Sequence, residues 1–410
     1  MEVFPVEMLD EYMHLQSVSN DHQIRAIVRF KSHLDLEILK KSVMITSERI
    51  PLLGCMYVRK RNKRYWQRKE FISDDYIRIH TFESLDTNYV DILAEIPNEL
   101  GPQILLRVFR NNMHDLLVVT VNHMIFDGTG LKEYLYLLAR VYSGIETEVS
   151  SLDRQLGTLL RNITLLETIR AIFDRPQEIV EPNFLKIGEG TSPTKLNILR
   201  ISGGELKNIK EFCKAHNATV NDFVIAALAN SIFEIDTITD SVSMQMMVDL
   251  RRYIKRHKPG EFGNFASMET VSVSKESGNF VKLLISISEK TRKMKSGLPG
   301  LRNILLMKLV WTFLSLNTFD ILLENEIKKF SISTSNLGII ETDKMVFGSN
   351  RVDDAFMLTS IKKQPAMQLT FSTFMGTMTL SILGEYSEEN SNNISKCLGG
   401  IKREIQRTAE

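Results

Sequence analysis

Between about Pro176 and Lys195 the chain carries three prolines and two glycines with no hydrophobic periodicity, the composition of a connection between domains. On either side of it the same kind of pattern begins: a short β-favouring run followed by apolar residues at helical spacing. A chain of 410 residues is too long for one ordinary core and suits two of roughly 200 residues each. The expected organisation is therefore a first domain over 1–180, a linker over 181–195 and a second domain over 196–410.

In the first half, Ile24, Ile27, Val28 and Phe30 predict a strand, and Leu36, Leu39, Val43 and Ile50 a helix that Pro51 stops. Ile104 to Phe109 and Leu116 to His123 read as the arms of a hairpin turning at Asn111-Asn112, which brings His123 to a strand end. After Gly128 and Gly130, the residues Leu131, Tyr134, Leu135, Leu138 and Tyr142 share one face of a helix ending near Gly144. The second half opens with a strand over Leu196 to Ile201 and a helix over Glu205 to His216. Thr219-Val220-Asn221-Asp222 has the form of a capping box before an Ala-rich helix running to about Phe233. A strand from Ser243 to Leu250, and a hairpin of Met367 to Phe374 with Thr377 to Leu383, follow. Strands and helices mix in both halves, which gives an α/β (α+β) fold with layers packed side by side.

Charge and cysteine content exclude several classes. Lys plus Arg number 51 against 50 for Asp plus Glu, so no net field draws the chain to nucleic acid or to an anionic membrane. Cys55, Cys213 and Cys397 are far apart and form no C-x-x-C pattern, which argues for reduced structural residues and no thiolate metal site. The opening Met1-Glu2-Val3-Phe4-Pro5 lacks a basic stretch followed by an apolar one, so a cytoplasmic location is expected. Ile304 to Phe319 is the most apolar long run, yet Lys308 and Asn317 interrupt it and it falls short of the roughly 20 residues of a bilayer crossing. A buried helix is expected there, with no integral membrane segment.

Of the eight histidines only His123 has an aspartate four residues later, and Gly128 and Gly130 follow. A strand end before a glycine turn presents an imidazole at an opening while sheet bonds hold its backbone. Histidine suits proton transfer because its ordinary pKa, about 6.5, lets it take a proton and return it within a turnover near neutral pH. Asp127 is then an orienting partner or a structural anion. The plain alternative makes His123 a polar cap on a buried strand.

Asn122-His123-x-x-x-Asp127-Gly128 resembles the His-His-x-x-x-Asp-Gly motif of the superfamily that includes chloramphenicol acetyltransferase, condensation domains of nonribosomal peptide synthetases and polyketide-associated acyltransferases. The look is closest to stand-alone alcohol-acyltransferase-like members. Thr219-Val220-Asn221-Asp222, Val248-Asp249-Leu250-Arg251, Gly263-Asn264-Phe265 and Ser335-Asn336-Leu337-Gly338 extend the resemblance in order along nearly the whole chain. It implies two chloramphenicol-acetyltransferase-like domains in a V, a central channel with His123 near its middle, and a buried pair between Asp127 and Arg251. The catalytic assignment falls on His123 with Asp127, while Asn122, Gly128 and Arg251 organise the site. Asn122 stands where the family has its first histidine, which weakens a peptide-synthetase reading.

The implied reaction is acyl transfer from a thioester to a hydroxyl or amine of a small-molecule acceptor, with His123 as base. No cofactor is bound; the co-substrate is acyl-coenzyme A or a phosphopantetheine thioester on a carrier protein. Losing an oxyanion donor costs roughly 10²–10³ in rate, and the backbone at Gly128 or Thr129, with Asn264, Ser335 and Asn336, supplies the candidate contacts to oxyanion or substrate. The apolar segment and the 18 methionines are candidates for lining an acyl pocket, or for ordinary core. A carrier-dependent condensation enzyme and a non-catalytic binding or scaffold member are the competing readings.

Overall fold

The computed structural model describes residues 2–60, 63–81, 93, 96–97, 99–146, 154, 156–173, 179–181, 184–186, 192–254, 262–275, 279–327 and 332–409. Much of the 181–195 connection lies outside the described residues, although Phe184 and Leu185 are buried in the core of the second half.

Five strands form the first sheet, in the order Val352–Leu358, Gln23–Phe30, Asp115–Asn122, Ile104–Arg110 and Ile77–Thr81. All neighbours are antiparallel except the last two. The helices Leu36–Arg49 and Gly128–Tyr142 cover one face, where Leu39, Val43, Leu131, Tyr134, Leu135 and Leu138 are fully buried. The other face carries Ile27, Phe109 and Val118 against Phe356, Leu383 and Ile198, so the two halves pack on each other through a small apolar core of their own. Coverage of both faces explains why Gln23–Phe30 is buried at every position but Arg29 instead of alternating.

The second sheet runs Ala266–Ser274, Ser241–Asp249, Ile332–Ile340, Met367–Phe374, Thr377–Glu385, with Lys362–Lys363 and Thr194–Ile201 also paired to Thr377–Glu385. Its helix layer is built on Val220–Ile235, against which Gly203–Ala215, Phe280–Ser296 and Glu388–Arg407 pack. The predicted capping box is present there: Thr219 Oγ1 accepts the N–H of Asp222 (3.2 Å) and Asp222 Oδ2 accepts that of Thr219 (2.8 Å). Cys55, Cys213 and Cys397 are free and buried.

Two expectations are corrected. The segment 196–410 does not stay within one half, because Val352–Leu358 leaves it to become the outer strand of the first sheet, pairing Val352 with Phe30 and Leu358 with Arg25. Its apolar side chains Val352, Ala355 and Met357 complete the first core, which has no other element to close that edge. The run from Ile304 to Phe319 is two helices, Leu301–Phe313 and Leu316–Ile327, not one buried helix. Ser315 breaks it by accepting the N–H of Thr318 on its hydroxyl (3.2 Å), and Leu309, Phe313 and Ile321 stay exposed. Among the described residues no single helix is long and apolar enough to cross a membrane.

Candidate active site

The strand Asp115–Asn122 ends one residue before His123, and Asn122 builds the turn that follows. Its Oδ1 accepts the N–H of Met124 (2.9 Å), its Nδ2 donates to Gln103 Oε1 (2.6 Å), and its carbonyl accepts the N–H of Ile125 (3.0 Å). The amide of His123 donates to the carbonyl of His22 (2.8 Å), continuing the strand pairing by one residue. From the second half, Asn264 Nδ2 donates to the carbonyl of His123 (3.0 Å). Both backbone groups of His123 are thus fixed while its ring lines a cavity of about 1750 Å³.

Nδ1 of the ring is buried without a hydrogen-bond partner among the described residues, which leaves Nε2 as the nitrogen able to meet a ligand. Burial lowers the imidazole below its ordinary 6.5, and the charge of Lys362 adds to this; the backbone of His123 and Phe126 and the charge of Asp127 oppose it without reversing it. The neutral, base-competent form is therefore favoured at neutral pH. We expect the acid limb of kcat/KM for any His123-dependent reaction to lie below 6.5. Stability carries the same sign: the unfolded chain takes up the proton first, so this contribution is present above 6.5 and lost as pH falls through the folded value. An acid limb centred above 6.5 in a pH–rate profile would contradict the assignment.

Asp127 caps the helix Gly128–Tyr142 and is held by four donors. Oδ1 accepts from Gly130 N (2.8 Å) and Arg251 Nη2 (3.1 Å), and Oδ2 from Arg251 Nη1 (2.7 Å) and Phe265 N (2.8 Å). A carboxylate offers about four acceptor positions, so none is left for the imidazole. Burial alone would raise the Asp127 carboxyl, but the Arg251 guanidinium and the N–H donors outweigh it and hold it below the usual range. Arg251 is in turn oriented by the carbonyl of Gly263 (3.0 Å) and by Asp249 Oδ1 (3.2 Å). Gly130 lies under that same Gly263 carbonyl, where a Cβ would come within 2.9 Å of the oxygen, so the helix start has no room for a side chain. The pair stitches the two halves together beside His123, as an organiser of the turn.

Several sequence candidates do not reach the cavity. Thr129 Oγ1 donates to Asp249 Oδ2 (3.1 Å), Asn336 is exposed with its Oδ1 accepting from Gly338 N (2.9 Å), and Ser335 is buried in the strand Ile332–Ile340. Asn264 acts through the His123 carbonyl and the N–H of Ala266 (3.2 Å), which is a backbone role. Neither these residues nor Gly128 lines the space His123 faces. The polar groups that do include Ser19, Ser360, Lys362 and Gln368, which belong to none of the sequence motifs. Ile304, Met307 and Val310 of the apolar run line it too, so that segment serves both core and cavity.

No protein-family model matches the chain, and no curated protein matches it in sequence. Solved structures do match over its whole length. The first condensation domain of the calcium-dependent antibiotic synthetase, in complex with a substrate analogue, superposes with a TM-score of 0.70 at 13% identity, covering 100% of this chain and 97% of that one. The epimerization domain from the third module of tyrocidine synthetase B gives 0.69 at 13% identity, over 99% and 98%. Polyketide synthase associated protein 5 from Mycobacterium tuberculosis gives 0.68 at 12% identity, over 98% of each chain. The fold is that of condensation domains, the chloramphenicol-acetyltransferase-like arrangement expected from the motifs.

Proposed function

We propose that this chain is an acyltransferase that moves an acyl group from a pantetheine thioester to a hydroxyl or amine acceptor. One observation carries the reading: His123 is the sole histidine among the described residues lining the cavity, fixed through its backbone by both halves and kept neutral by burial. Its Nε2 takes the acceptor's proton as the acceptor oxygen or nitrogen attacks the thioester carbonyl carbon. The carbonyl becomes an oxyanion; on collapse the C–S bond breaks and the imidazolium returns its proton to the departing thiolate. No covalent enzyme intermediate is required.

The donor in this reading is a thioester on a carrier protein. Two of the similar structures are domains of synthetases by name, which supports this choice of donor. The test is thiol release from matched acyl groups offered as coenzyme A thioesters and on a phosphopantetheinylated carrier protein, with mixed alcohol and amine acceptors. Acceptor-dependent release from the carrier alone supports the reading; release from coenzyme A thioesters moves the donor to the free thioester. A second reading follows from the epimerization domain that shares the fold. A base in the same place that acts on a carbon acid would exchange a substrate proton with solvent and release no thiol. Silence in every arm points to a non-catalytic role.

A further inference from the structure

His123 shares its cavity with a cation that has no partner among the described residues. Lys362 sits in the two-residue strand Lys362–Lys363, paired with Gly384 and Glu385, and its backbone also bridges to Asn20 of the first half. Its position is therefore fixed from both sides of the cavity it lines. Among the described residues the ammonium makes no hydrogen bond or ion pair. Asp21, the carboxylate whose charge it feels, is already engaged by Arg25 and by the N–H groups of Ile361 (2.8 Å) and Gln23 (3.4 Å). Burial accordingly lowers Lys362 to about 8, partly opposed by Asp21, so that it still carries its charge at neutral pH.

The Lys362 side chain is half-buried in the cavity wall, and a counter-charge bound there would favour its charged form. Arg170, Lys290, Lys293 and Arg302 also line the cavity, but Lys362 is the cation whose charge reaches His123; we propose that Lys362 is an anion-binding group of the cavity, and that the ligand seated beside His123 presents a carboxylate or a phosphate to its ammonium. The rest of the wall fits the remainder of such a ligand: Met247, Met268, Met294, Met307 and Leu306 line the same cavity, and methionine adapts to irregular apolar shapes. The inference rests on the transferase reading in treating this cavity as the substrate site, and it adds the chemistry of what enters. A carboxylate would belong to the acyl or acceptor molecule; a phosphate would belong to the pantetheine arm.

Calorimetric binding to the full chain at pH 7, with two matched pairs of probes, tests it without turnover. The pairs are decanoate with decanamide, and pantetheine 4′-phosphate with pantetheine. The anion of at least one pair is expected to bind about tenfold or more tighter than its neutral partner, the scale of one hydrogen bond to a charged group. A preference in the first pair assigns the anion to substrate, and in the second to the pantetheine arm. Lys362→Met should abolish the preference and Lys362→Arg should keep it; Lys362→Gln serves as a second neutral variant should the methionine protein fail to fold. Equal binding within both pairs, absent binding, or a preference that survives both neutral variants overturns the proposal. Because no turnover is read, that result leaves the thiol-release test standing, and a failed thiol-release test leaves the binding result standing.

Discussion

Replacing His123 with alanine is expected to lower acceptor-dependent thiol release by about 10³-fold while the protein melts close to the wild-type temperature, since a positioned acid–base side chain contributes roughly 10²–10⁴. The separation of the two effects follows from how the residue is held. Its backbone bonds to His22 and Asn264 do not involve the ring, and the ring nitrogen Nδ1 makes no side-chain hydrogen bond among the described residues. The position survives the substitution and the base does not. Thiol release within about tenfold of wild type would remove His123 from the chemistry, because general-base catalysis of this kind is worth more than that. A large fall in melting temperature would make it a structural residue instead.

Arg251→Met is expected to cost about 3–5 kcal/mol of stability, the scale for stranding one charge of a buried pair. The Asp127 carboxylate would keep the N–H donors of Gly130 and Phe265 but lose both guanidinium bonds while remaining buried. For a unit of roughly 200 residues this shifts the melting temperature by about 10 °C, read by calorimetry. Asp127→Ala should lose soluble protein as well as activity, since it leaves Arg251 buried with only Asp249 and the Gly263 carbonyl near it. Pairing Asp127→Asn with Arg251→Met should restore part of the loss, because the two residues act as one unit and their single effects are not additive. An Arg251→Met protein that melts like wild type yet has lost activity would assign the pair a direct part in the reaction.

Local patterns carried much of the fold into view. The capping box at Thr219 and the hairpin that ends at His123 are decided by residues within a few positions of each other, and both stand where the sequence places them. The break at Ser315 was hidden because a hydroxyl cap inside an apolar run looks like one more tolerated polar residue. The placement of Val352–Leu358 was hidden for a different reason: its partner, Gln23–Phe30, lies far away along the chain, and no local pattern says which sheet a strand will join.

The site divides the same way. His123 and Asp127 stand out by their spacing and Arg251 by the family resemblance, and the four-donor cage of Asp127 shows what holds Asp127 and Arg251 together. Lys362 carries no such signal. It is one lysine in a Lys-Lys pair that reads as ordinary surface, and only the pairing of its short strand between Asn20 and Gly384 sets it in the wall of the cavity.

The outer strand of the first sheet also sets an order of assembly. Until Val352–Leu358 has left the ribosome, Gln23–Phe30 presents a bare row of backbone donors and acceptors along one edge, the kind of edge that invites pairing with another chain. The half that holds His123 is translated early but finished late. Its maturation is tied to nearly the whole of the other half, so a nascent chain stalled or cut before that strand carries the base without the sheet edge that completes its support.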